Sequence, residues 1–62
     1  MNKETRQEIE VMIERLDFIK VNEELEIHKM GELFSDTELY KLRGELVKRL
    51  EQAIEQLNDV VG

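Results

Sequence analysis

Few side chains in this 62-residue chain could carry out chemistry. His28 is the single imidazole, and Glu24 stands four residues before it. On a helix the two would share a face and could hold a divalent metal between them. A pair does not close a site, however. The Glu-x-x-His spacing of di-iron bundles is also missing, because Leu25 stands three residues before His28. Ser35 is the best nucleophile by residue type, but its surroundings assign it to a helix cap. Glu23, Glu24 and Glu26 read as a solvated acidic face. Paired carboxylates for hydrolysis would need a cleft, which two helices do not make. Cysteine is absent, which excludes a thiolate metal site and a disulfide framework. The expectation is a chain with no catalytic, cofactor-binding or metal-binding residues.

The elements that would position these groups are organised around Phe34-Ser35-Asp36-Thr37-Glu38-Leu39. Ser35 is placed to cap a helix and Glu38 to complete a capping box, with Phe34 and Leu39 as a hydrophobic staple. The chain therefore divides into two helical arms: helix 1 over about 4–29, a turn over 30–35, and helix 2 over about 36–60. Asn2 and Thr5 are candidate caps for the first arm. Gly31 is expected just past its end in a left-handed conformation. Leu33 and Phe34 are expected to plug the closed end.

At about 100° per residue, Ile9, Met12, Ile13, Leu16 and Ile19 fall on one stripe of the first arm, to which Ile27 and Met30 return. Lys20 and Glu23 interrupt it. Either the helix continues through a polar layer or it breaks near Val21-Asn22. In the second arm Leu39, Leu42, Leu46, Leu50, Ala53, Leu57 and Val60 form an unbroken stripe, expected to face the first arm. Lys41–Glu45 and Glu45–Arg49 are i,i+4 pairs for its solvent side.

Each arm also carries a second apolar line at heptad spacing: Val11, Phe18 and Leu25 on the first, and Tyr40, Val47, Ile54 and Val61 on the second. Gly44 lies beside the latter. There it either admits a close helix neighbour or is a tolerated surface glycine. A lone hairpin offers these lines no partner. The fold class that follows is all-α: an antiparallel two-helix hairpin dimerising into a four-helix bundle. Val11, Phe18, Leu25, Tyr40, Gly44, Val47 and Ile54 are the candidate interface with a second copy or an unidentified protein partner.

Net charge is −6, divided evenly between the arms, and neither arm has a basic face. Direct nucleic-acid binding is not expected. No apolar run approaches the ~20 residues of a membrane span, and the chain starts at Met1 with no apolar leader, so a cytoplasmic protein is expected.

The run Ser35-Asp36-x-Glu38-Leu39-x-x-Leu42-x-x-Glu45-Leu46 resembles the second helix of small sporulation-regulating phosphatases that act on response-regulator aspartyl phosphate. Those proteins are also short helical hairpins. Their signature is Ser-Gln-Glu-Leu-Asp, whose terminal Asp carries function. The matching run here is Arg43-Gly44-Glu45-Leu46-Val47, with the Ser, Gln and Asp positions all changed. The likeness covers about twenty residues that capping and leucine periodicity also explain, so the activity is not carried over.

The leading functional expectation is a small acidic, non-enzymatic interaction or regulatory protein of bacterial or phage type, acting by binding a macromolecular partner. The alternatives are an acidic nucleic-acid mimic that blocks a DNA-binding protein, or a degenerate aspartyl-phosphate phosphatase-like regulator. Interspersed basic residues weaken the mimic, which would need a nearly continuous acidic face.

Overall fold

The computed structural model describes residues 1–31, Leu33 and residues 36–62. Two helices, α1 (Lys3–Gly31) and α2 (Glu38–Val61), pack against each other as a hairpin. Asn2 starts α1: its side-chain oxygen accepts from the backbone N–H of Thr5 at 2.8 Å, and its carbonyl accepts from that of Arg6 at 3.1 Å. This is the N-cap role, and it holds the first turn against fraying. The helix then runs without a break through Val21 and Asn22 for 29 residues.

The second helix begins two residues later than the capping-box pattern suggests. Thr37, with extended backbone, is its N-cap, and its hydroxyl accepts from the backbone N–H of Tyr40 at 3.2 Å. The capping role expected of Ser35, and the staple and plug roles of Phe34, lie outside the described residues. Both Thr37 and Ser35 are good caps by residue type, and sequence alone favoured the one with Glu three positions on. Glu38 is instead the first helical residue, where its carboxylate still meets the positive end of the helix dipole.

Gly31 also departs from expectation. It is the last residue of α1, and no glycine among the described residues has a positive φ. It lies beside Tyr40: a Cβ built there would sit in ordinary contact with the ring, at 3.5 Å. Leu33 is 80% exposed and plugs nothing.

The molecule is a thin rod of 48 × 14 × 13 Å with a radius of gyration of 14.4 Å. A compact chain of this length would have a radius of about 11 Å. Among the described residues none is fully buried. The residues that are half-covered form one line on each helix. On α1 they are Ile9, Ile13, Leu16, Lys20, Glu23, Ile27, Met30 and Gly31; on α2, Tyr40, Arg43, Gly44, Val47, Leu50, Ala53, Ile54, Leu57 and Val61. Among the described residues the two helices pack against each other, and these lines mark the seam between them.

The seam corrects the sequence-based assignment of faces. Tyr40, Val47, Ile54 and Val61, expected to await a second neighbour, lie against α1. Of the stripe expected to face α1, Leu50, Ala53 and Leu57 are half-covered as expected, whereas Leu39, Leu42, Leu46 and Val60 are exposed, as are Met12 and Ile19 of the α1 stripe. The reason is the width of the apolar arc on α2, which spans roughly 160° and so exceeds what one partner helix covers. Periodicity finds the middle of such an arc. It does not say which half the hairpin partner takes.

Candidate interaction surface

Three features of the rod bear on function: a polar layer inside the seam, an apolar face beside it, and an apolar line on the back of α1.

The polar layer explains how α1 stays continuous across its interrupted stripe. Glu23 lies in the seam, and Arg43 Nη1 donates to Glu23 Oε2 at 2.8 Å across the helix pair. Both side chains are about three-quarters covered. Lys20, one turn earlier, is drawn along α1 by Asp17 at 3.7 Å and Glu24 at 3.9 Å, which keeps its ammonium at the seam margin. Arg43 Nε is buried without an acceptor among the described residues. The interruption was visible in the sequence, but its partner was not, because Arg43 stands between Leu42 and Gly44 with no mark of its own. The expected Lys41–Glu45–Arg49 ladder is not among the observed ion pairs, which include Arg6–Glu10 and Lys29–Glu26 on the surface of α1.

The apolar face follows from register. Met12 and Ile19 each precede a seam residue of α1 (Ile13 and Lys20) by one position. Leu39, Leu42, Leu46 and Val60 precede seam residues of α2 (Tyr40, Arg43, Val47 and Val61) by one position. In two antiparallel right-handed helices, rotation in the same sense carries both sets to the same face of the pair. A shallow groove lined by Glu23, Leu39, Leu42, Arg43 and Leu46 confirms that the leucines adjoin the polar layer from that side. The hairpin thus presents a broad apolar face.

The opposite face is polar. There a groove of about 510 Å³ is lined by Glu24, Ile27, His28, Gly31 and Tyr40. It brings Glu24 and His28 together, as their spacing required. No third His, Asp or Glu joins them in a metal-binding group among the described residues.

Val11, Phe18 and Leu25 lie on the back of α1, away from α2, as the heptad spacing indicated. Phe18 is 69% exposed and Leu25 54%. Gly44 has nothing within 4 Å of a Cβ added to it, so it faces open space and gives no close approach within the hairpin. Of the seven candidate interface residues, therefore, three stand free on α1, three are half-covered by α1, and Gly44 borders the seam.

Among the described residues no helix is long and apolar enough to cross a membrane. No protein-family model matches the chain, and neither a curated protein nor a solved structure matches it.

Proposed function

We propose that this hairpin is a non-enzymatic interaction protein that works as a self-associated helical unit and docks a protein partner on the back of α1. One observation carries the reading: the chain folds with no buried residue among those described while large apolar side chains stand on two separate surfaces. Isolated exposed apolar residues are ordinary, but contiguous apolar surfaces mark contacts with other molecules. Phe18, flanked at heptad spacing by Val11 and Leu25, has the form of an aromatic anchor for a partner helix or groove. A face of this kind supports docking better than it supports imitation of a nucleic acid, which would need unbroken negative charge.

Affinity capture with matched baits tests the proposal. A protein retained by the native chain and released by Phe18→Asp, at equal helicity of the two baits, is the expected result. Capture indifferent to Phe18→Asp would refute docking on this line. A hydrolase or phosphoryl-transfer activity lost on His28→Ala would refute the non-enzymatic reading.

A further inference from the structure

We infer that the face carrying Met12, Ile19, Leu39, Leu42, Leu46 and Val60 is covered by a second copy of this chain, giving a four-helix bundle in which the Phe18 line stays outside. The inference rests on the self-association proposed above and identifies which surface performs it.

The first support is area. The chain exposes 5085 Å². A compact monomer of its mass would expose about 4,200 Å². The difference is close to what each partner loses in a stable interface, about 600–1,000 Å². The six side chains of the face expose between 42% and 57% of their surfaces. That amounts to on the order of 500 Å² per chain, so two faces together bury about 1,000 Å² before any flanking residue is counted. The back line of α1 is a single row on one helix and cannot supply such an area.

The second support is the shape of the arc on α2. Its seam half is already occupied by α1, and its other half is continuous with the seam through Leu46, Leu50 and Ala53. In a four-helix bundle each helix meets two neighbours at roughly 20°, so its apolar arc must be wider than a hairpin uses. The arc of α2 has that width. On α1 the residues on the same side, Met12 and Ile19, continue the surface across the pair. The register that pairs Glu23 with Arg43 sets Ile19 level with Val47 and Met12 level with Ile54. The face is thus one patch shared by both helices, as a self-complementary two-fold contact requires.

Sedimentation equilibrium of the full chain at on the order of 50 µM tests the inference. The native chain should run at twice its 7.4 kDa mass. Leu42→Asp should run at the single-chain mass, and Phe18→Asp at the native mass. Because Leu42→Asp could unfold as it dissociates, spin labels on Leu46→Cys and Phe18→Cys provide a second readout in a chain without native cysteine. Labels at position 46 should report an intermolecular distance far below the 48 Å length of the rod, and shorter than labels at position 18. A native chain at single-chain mass would overturn the inference while leaving capture through Phe18 to stand or fall separately. A dimer split by Phe18→Asp and kept by Leu42→Asp would overturn it as well. So would labels closer at position 18 than at position 46.

Discussion

Breaking the Glu23–Arg43 layer should destabilise the hairpin, while replacing both members together should not. The contact is a 2.8 Å charge-assisted bond between side chains that retain about a quarter of their exposure. It is therefore neither a surface pair, worth about 0.2–1 kcal/mol, nor a dry buried one, whose breakage costs about 3–5 kcal/mol. Allowing for the remaining solvent, Arg43→Met should cost about 1–2 kcal/mol, mainly by leaving the Glu23 carboxylate half-desolvated without its donor. For a chain this small that is a fall in Tm of very roughly 5–15 °C. The double variant Glu23→Leu with Arg43→Met removes both charges and extends the apolar stripe. It should recover the loss and melt at or above the native temperature. Thermal melts followed by circular dichroism at one fixed protein concentration give the four corners of the cycle, and fixed concentration matters because assembly shifts Tm. Zero coupling between the two positions would show that the layer contributes nothing to the seam. A double variant less stable than either single one would refute the idea that the pair is dispensable for stability.

Three further outcomes follow from the same geometry. Thr37→Ala should cost about 1 kcal/mol in chemical denaturation through loss of the α2 cap, and an unchanged midpoint would move the helix start elsewhere. Gly44→Ala should stabilise by about 0.5–1 kcal/mol, since the position is helical and a methyl group there meets nothing; a destabilised variant would reveal a neighbour packed on that side. Val47→Asp, set in the seam, should abolish helicity at all protein concentrations. A merely dissociated but helical chain would place Val47 at an outer interface instead.

The two arms, their antiparallel pairing and the exposed Val11, Phe18 and Leu25 line were legible in the sequence, because each depends on periodicity along one helix. Continuity of α1 through Lys20 and Glu23 was one of two open readings, and it needed Arg43 from the other arm to decide it. What periodicity could not supply was rotation. Leu46 and Val47 are adjacent, both apolar and both central to α2. Which of them meets α1 depends on where Arg43 finds Glu23, a relation between helices that no single-helix pattern contains. The cap was misplaced as well. Ser35 and Thr37 are both competent by residue type, and it is the Thr37 hydroxyl that accepts from the first turn of α2.

The slenderness of the rod has a kinetic consequence. Every contact across the seam joins residues related by a simple count outward from one bend, so once Gly31 meets Tyr40 each next pair is already nearby. Successive closures add little chain entropy, because loop closure grows only slowly with length. Folding should then proceed like a zipper from the bend toward Thr5 and Val61, and mostly local contacts of this kind belong to chains that fold in microseconds to milliseconds. Opening should run the other way, beginning where Met1 and Gly62 share an end.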